Sequence, residues 1–274
     1  MYEELYEKLP DANRYWDKLG LSRPEAPLSK DDLDRIIFAH QSRIPFENLD
    51  VCDFHRPIKL GIPDLFEKII VGNRGGYCFE LNALLDALLQ DAGVKTMACL
   101  GRSLKDRGYV YPILHRGIIV TLGDERYIAE VGYGGPTPAC ATPLVDGAEL
   151  ESCGQVFRVE LHDGGWWHVI YRGTAARLAA ARERGENVYA LTNFVVRPLE
   201  MLVAEDETQM TCDLVTMYGE TFRLSFMTSD FASAQKFKAV LNKRTISLCY
   251  MGSDGDLEVL KSYLAGLAWQ VKHG

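Results

Sequence analysis

The chain has no C-x-x-C pair among its seven cysteines, which sit at positions 52, 78, 99, 140, 153, 212 and 249 of 274. So odd and scattered a set argues against a disulfide framework and against a zinc knuckle, so no metal is expected; reduced thiols in a cytoplasm fit best. No run of 18 apolar residues occurs, and no basic start is followed by an apolar core, so neither a membrane span nor a secretory signal is expected. Positive charge is in deficit. Thirty Lys and Arg against 38 Asp and Glu leave a formal net charge of −8, which disfavours nonspecific nucleic-acid binding. There is no P-loop, and the acidic balance offers no evident phosphate cradle. No internal repeat, low-complexity tract or flexible linker divides the chain into independent modules. What is present is an ordinary globular composition, 47% hydrophobic and 25% charged, with length for one large domain or two to three small ones.

The chain is organised around Arg74-Gly75-Gly76-Tyr77-Cys78-Phe79-Glu80-Leu81-Asn82. From Cys78 onward Leu81, Leu84, Leu85 and Leu88 recur at helical spacing, and Gly93 is a stop signal. Cys78 therefore opens a helix, where orphan N–H groups and the helix dipole favour an anion, here the reactive thiolate. Gly75 and Gly76 let the backbone take positive φ and let a substrate approach closely. The competing reading is a buried cysteine packed as a small hydrophobe.

Helices dominate up to about residue 92, at Tyr2–Leu9, Asn13–Leu19, from a Ser29 cap through His40, and from Pro63 to Val71 with Gly72 as its end. Pro45 holds Ile44 out of the α region and should close the third of these. After Gly93 the period changes to two. Strands are expected at Thr96–Ser103, Gly117–Leu122, Arg126–Val131, Gln155–Leu161 and Trp166–Tyr171, with turns at Gly123-Asp124 and at Asp163-Gly164-Gly165. This pattern suggests a small barrel or a curled antiparallel sheet. Residues 134–154 read as a long loop, and Arg172–Asn187 as a partly helical connection. Beyond 199, strands are expected near Thr211–Thr216 and Thr221–Phe226, then helices near Ala232–Leu241 and Asp256–Val271. The division expected is 1–92, 93–198 and 199–274, with small-molecule sites forming where such regions meet.

A nucleophilic cysteine needs a base and the base an orienting group. His115 leads the strand Gly117-Ile118-Ile119-Val120, and Glu130 lies near the end of the next one. If Gly123-Asp124 is a two-residue loop, Leu122 pairs with Glu125, Gly117 with Glu130 and His115 with Gly132. His115 and Glu130 are then diagonal neighbours on one face, within reach of each other. An odd-length turn would put them on opposite faces. On this register Glu130 accepts the Nδ1–H of His115, and Nε2 is left to take the Cys78 proton. His40 reads as a helix-face residue near the site, and His162 and His168 as structural or solvent-facing.

These residues together resemble an arylamine N-acetyltransferase. The resemblance rests on Arg74 to Asn82, on Ile44-Pro45-Phe46-Glu47-Asn48-Leu49, on His115-Arg116 leading a strand and on Val131-Gly132-Tyr133-Gly134, in this order and spacing. It covers residues 10–140 well and the remainder in general layout. It implies an α+β fold: an N-terminal helical bundle, a central antiparallel β-barrel and a C-terminal α/β lid, with a papain-like triad in the cleft between the first two. It implies ping-pong transfer, in which Cys78 takes the acetyl group of acetyl-CoA as co-substrate, without a metal, and passes it to an arylamine, arylhydrazine or N-hydroxyarylamine. Cys78, His115 and Glu130 match the triad, although the family's carboxylate is usually aspartate. Phe46, Tyr133 and Tyr77 match substrate-binding positions, and Gly132 and Gly134 would let CoA pass close to the backbone. Arg74 and Glu47 match a pair that supports the cysteine loop. Coenzyme A and a small aromatic amine or hydrazine are the partners implied, with no membrane; the oligomeric state is left open. An amide synthase of the same fold, a hydrolase and a ligand-binding homologue with an impaired triad are the alternatives.

Overall fold

Asp11 and Ser29 start the first two helices by the same chemistry, a side-chain oxygen taking an orphan N–H. Asp11 accepts from the Arg14 N–H at 3.1 Å to open α1 (Ala12–Leu19), which Gly20 ends in the left-handed region at φ 64°. Ser29 and Asp32 cap each other across the start of α2 (Lys30–Arg43), and Ile44 leaves that helix extended ahead of Pro45. The chain is described here from a computed structural model at residues 7–52, 56–102, 114–184, 191–198, 226–228, 235–241 and 244–250.

A single turn, α3 (Leu49–Cys52), follows. Pro63 lies in the first turn of α4 (Ile62–Phe66), which runs on as a π-helical turn at Glu67–Val71 and stops at Gly72. Then comes α5 (Cys78–Asp91). Its leucines have the spacing of a one-sided helix, yet Glu80, Asn82 and Asp86 are buried as well. A helix buried on every side lies centrally rather than on the surface. Tyr15, Trp16, Ile36, Leu65, Leu81 and Leu84 share one core with Ile118, Val120 and Tyr127 of the sheet.

The sheet has eight antiparallel strands in the order β4-β3-β2-β1-β8-β7-β6-β5. These are β1 (Lys95–Arg102), β2 (His115–Leu122), β3 (Glu125–Ala129), β4 (Thr142–Pro143), β5 (Glu149–Ser152), β6 (Gln155–His162), β7 (Trp166–Thr174) and β8 (Leu191–Pro198); α6 (Ala175–Glu183) joins the last two. The β2–β3 turn is the two-residue one, with Leu122 opposite Glu125 and Ile118 opposite Ala129. The sheet is open, which corrects the expected closed barrel: β4 and β5 are its edges and do not pair. It is nonetheless tightly curled. The edge strands are consecutive in the chain, and the Leu144 N–H bonds to Arg126 O at 2.9 Å, while the Gly147 N–H bonds to Val159 O at 2.9 Å. Three residues on, at no more than ~3.6 Å each, the chain has crossed from one edge to the other. The segment 144–148 thus seams the sheet where strand pairing does not. Cys99, Ile119, Ile128, Phe157, Val159 and Val169 fill the curl.

Three further expectations change. Residues 134–154, expected as a loop, carry β4 and β5. Residues 7–9 of the first expected helix are not helical, and residues 1–6 lie outside those described. Of the expected helix Ala232–Leu241, the described part, Gln235–Leu241, is instead β10, the middle strand of a second sheet between β9 (Phe226–Thr228) and β11 (Arg244–Tyr250). Its Ala, Lys and Leu content favours a helix intrinsically. Its alternation Lys236-Phe237-Lys238-Ala239 has period two, however, and pairing with β11 from Leu241↔Arg244 onward decides the outcome. The expected strand Thr211–Thr216 and helix Asp256–Val271 lie outside the described residues, as does most of Thr221–Phe226.

Phe157 is fully buried inside the curl against Tyr171, ring centroids 5.5 Å apart. Phe157→Ala should cost about 3–5 kcal/mol in urea denaturation. A loss below about 1 kcal/mol, the range of tolerated swaps, would show that the interior of the curl is not a packed core.

Candidate active site

Cys78 is the first residue of α5, and it is buried. Glu80 closes the helix start by accepting the Tyr77 N–H at 3.1 Å, so Tyr77 caps without using its own side chain for that bond. The Cys78 N–H is one of the orphan donors of a first helical turn and points away from the helix body. The loop before it is fixed to the segment after α2. Glu47 N–H donates to Gly76 O at 2.8 Å and Gly76 N–H to Pro45 O at 3.3 Å, a parallel bridge centred on Phe46. A Cβ on Gly75 would lie 2.1 Å from Pro45 O, and one on Gly76 would meet the Glu80 side chain. Neither glycine takes a positive φ. Each closely approaches other parts of this chain, and the expectation of positive φ at these glycines is corrected.

Charge reinforces that junction. Arg74 pairs with Glu47 at 2.7 Å and with Asp50 at 3.4 Å, while Lys68 bridges Asp50 at 2.7 Å and Glu80 at 2.6 Å. Three carboxylates thus face two cations in a largely buried cluster. Burial pushes Glu80 up to about 7, Lys68 pulling against it and Glu47 adding to it. Arg74 and Glu47 are where the resemblance put them. Lys68, Asp50 and Glu80 complete the cluster, and no motif in the sequence linked them.

His115 opens β2, and Glu130 lies just past the end of β3, one position beyond the last paired residue. Their side chains meet with Nε2 of His115 2.5 Å from Oε2 of Glu130, both residues buried. Cys78 Sγ lies 3.7 Å from the O of Leu114, the residue just before His115, and Cys78 and Glu130 both favour the charged form of the ring. The ring is therefore turned the opposite way from the expectation: Nε2 faces the carboxylate, and Nδ1 is the nitrogen left for the thiol. Burial alone would lower the imidazole. The Glu130 carboxylate outweighs it, helped by the hydrogen bonds to Cys78 and Glu130, and His115 is held well above its ordinary 6.5.

Glu130 has its other oxygen filled. Oε1 accepts from Asn82 Nδ2 at 2.8 Å and from the Gly132 N–H at 2.7 Å. Asn82 also donates to Arg116 O at 2.6 Å and accepts the Val131 N–H at 3.0 Å. Gln41 donates to Glu130 O at 2.8 Å and to Pro138 O at 2.9 Å. The sequence reading assigned no role to Asn82 or Gln41. The signal for Asn82 was its place one helical turn after Cys78, on the same face.

Tyr133 stands edge-on to the His115 ring, centroids 5.4 Å apart, and Phe46 packs beside Tyr77, Cys78 and Phe79. Gly132 and Gly134 admit other parts of the chain: a Cβ at Gly132 would lie 2.6 Å from Cys78 Cα, and one at Gly134 2.7 Å from the Phe46 ring. The other described histidines are elsewhere. His40 is buried against Tyr15 OH at 2.9 Å, and burial drives it down to about 3. His162 and His168 stack on each other at 3.7 Å on the far hairpin. Among the described residues no group of three or more His, Cys, Asp or Glu is placed to hold a metal, and no helix is long and apolar enough to cross a membrane.

A buried thiol at a helix start, near an imidazole paired with a carboxylate, is a set of groups suited to nucleophilic chemistry. A family profile described as N-acetyltransferase matches residues 30–231. The arylamine N-acetyltransferase / N-hydroxyarylamine O-acetyltransferase of Salmonella typhimurium is 46% identical over 100 residues, 36% of this chain and 35% of that one. The arylamine N-acetyltransferase of Escherichia coli is 36% identical over 137 residues, 50% of this chain and 48% of that one. The chain thus spans between about a third and a half of the length of these curated relatives. In fold it is similar to the solved S. typhimurium arylamine N-acetyltransferase, with a TM-score of 0.64 at 23% identity, covering 90% of this chain and 84% of that one. The M. tuberculosis structure is similar too, with a TM-score of 0.63 at 23% identity over 93% and 92%. This chain belongs to the arylamine N-acetyltransferase family.

Gly132→Ala should displace the start of α5, because its Cβ has Cys78 backbone to meet. Loss of about 1–3 kcal/mol of stability is expected, with slowed Cys78 alkylation; unchanged alkylation would mean the contact is slack. Glu130→Gln removes the anion while burial persists, so the His115 titration followed by NMR should move below its wild-type midpoint. The sign for stability follows. His115 is raised above 6.5 on folding, so the pair's contribution is complete below pH 6.5 and is lost as pH climbs through the folded value. The stability gap between wild type and variant should narrow in alkali.

Proposed function

We propose that this protein is an acetyl-CoA-dependent arylamine N-acetyltransferase working through a Cys78 thioester with a Cys-His-Glu triad. One observation carries the reading: Cys78, at the start of α5, has its Sγ 3.7 Å from Leu114 O, and the adjacent His115 is clamped to Glu130 at 2.5 Å. The membership of the family and the names of its relatives support the substrate class.

In the first half-reaction Nδ1 of His115 takes the Cys78 proton, and Glu130 stabilises the resulting imidazolium. The thiolate attacks the thioester carbonyl of acetyl-CoA. The oxyanion that forms is met by the Cys78 N–H at the helix start. Collapse breaks the bond to the CoA sulfur, which leaves with the proton from His115 as CoA-SH. The exchange of one thioester for another is nearly balanced. In the second half-reaction a neutral aromatic amine, hydrazine or N-hydroxyarylamine attacks the acetyl-Cys78 carbonyl. His115 takes the amine proton and returns it to the departing Cys78 sulfur. Phe46, Tyr77 and Tyr133 supply apolar and aromatic surface for the acceptor ring. No metal enters either half. The free thiols at Cys78, Cys99, Cys140 and Cys153 suit a cytoplasmic setting.

Glutamate is where the family usually has aspartate. Its extra methylene is accommodated here because Oε1 is anchored twice, by Asn82 and by Gly132, which fixes where Oε2 points. That anchoring argues for a working triad and against an impaired binding homologue.

Intact-protein mass spectrometry after mixing with acetyl-CoA tests the proposal. The wild type should gain a single acetyl group and lose it on addition of an arylamine, and Cys78→Ala should gain none. An acetyl group retained by Cys78→Ala, or an unmodified wild type, would sink the proposed nucleophile and donor.

A further inference from the structure

The acidic chain gave no sign of where a polyanionic donor would be held, yet one arginine beside the site is set up to hold a phosphate. Arg102 is the last residue of β1, next to Gly101, which pairs with His115. Its guanidinium lies over the Trp166 ring, 4.7 Å from the centroid. An arginine laid on an indole keeps its planar fork pre-organised, with its N–H edges facing outward, which suits a phosphate oxygen pair. Among the described residues Arg102 has no carboxylate partner, whereas Arg74, Arg116 and Arg158 are each committed to one. On the same face of the sheet Glu160 is already engaged, by Arg158 Nε at 2.8 Å and by His162 Nε2 at 3.1 Å. An arginine oriented on an indole, with no carboxylate partner among the described residues, stands out in a chain of net charge −8.

Its position relative to the nucleophile is also right. Leu100 packs against Tyr77, Cys78 and Phe79. Alternation puts Arg102 on the same face of β1 as Leu100, about 6.5–7 Å further along the strand. That offset is within the length of an extended pantetheine arm with its two amide units. A CoA thioester with its carbonyl at Cys78 can therefore run along this face of β1 and bring a phosphate to the end of the strand.

We propose that Arg102, held flat on Trp166, is a binding residue for a phosphate of the CoA moiety. The inference rests on the proposed donor, and its test separates the two. Acylation of Cys78 is measured with acetyl-CoA and with S-acetyl-N-acetylcysteamine, a thioester without phosphates. Arg102→Gln should raise KM for acetyl-CoA by about tenfold, the loss of one charge-assisted hydrogen-bonded pair, and leave the short thioester unchanged. Arg102→Lys should fall between, since it keeps the charge without the fork, and Trp166→Leu should weaken acetyl-CoA alone. Calorimetric titration with CoA and with pantetheine reads the same contact without turnover: Arg102→Gln should weaken CoA and spare pantetheine. An unchanged KM and an unchanged CoA affinity would overturn the assignment and leave the acetyltransferase reading standing. An equal loss with both thioesters would overturn it too, as the mark of a general structural role. A wild type acylated by neither donor would sink the proposed function, while CoA titration would still decide on Arg102.

Discussion

A buried carboxylate, Glu130, is the constraint on which this structure turns. Stripping Glu130 of its hydration costs several kcal/mol unless hydrogen bonds replace it. They come from three directions: His115 on β2, Asn82 on α5, and the backbone of Gly132 just beyond β3. None of the three elements can shift without costing the buried carboxylate a hydrogen bond. The triad geometry is therefore enforced by the energetics of one desolvated anion rather than by the stiffness of any single loop. Asn82 belongs to the helix that carries Cys78, so the same bonds that satisfy the carboxylate also fix that helix relative to His115.

The second charge cluster does the same for the other side of the cysteine. Arg74 and Lys68 lie between Glu47, Asp50 and Glu80, tying the segment after α2 to the start of α5. The tightest approaches there are glycine against backbone, Gly75 on Pro45 and Gly132 on Cys78. Two networks thus grip Cys78 from opposite sides, each closed by a glycine where a side chain would collide. Such a position leaves the thiol little freedom beyond its own rotation, which suits a nucleophile that must face one base and one carbonyl.

Much of this was legible in the chain. The Ser29 cap, the break at Pro45, the stop at Gly93 and the opening of a helix at Cys78 follow from rules that act within a few residues. So does the meeting of His115 and Glu130, because a two-residue turn and a period of two leave a single register. Two readings failed for a physical reason of another kind. Residues 235–241 have helical composition but become a strand because a neighbouring strand takes their hydrogen bonds. The sheet stays open because β4 and β5, at two and four residues, are bridged by the chain between them instead of by each other.

By itself, then, the sequence determined the local devices: which residue opens the helix, which histidine and carboxylate share a face, and where each helix ends. Those depend on φ/ψ preference, capping and alternation, all short-range. The tertiary structure alone decided which imidazole nitrogen meets Glu130, that Asn82 and Gln41 complete the carboxylate's shell, and that Arg102 lies on Trp166. A ring can turn over at no cost the sequence records, and Asn82 is 48 residues from its carboxylate. Such choices are settled by the packing of distant segments, where burial makes one arrangement of polar groups much cheaper than its mirror.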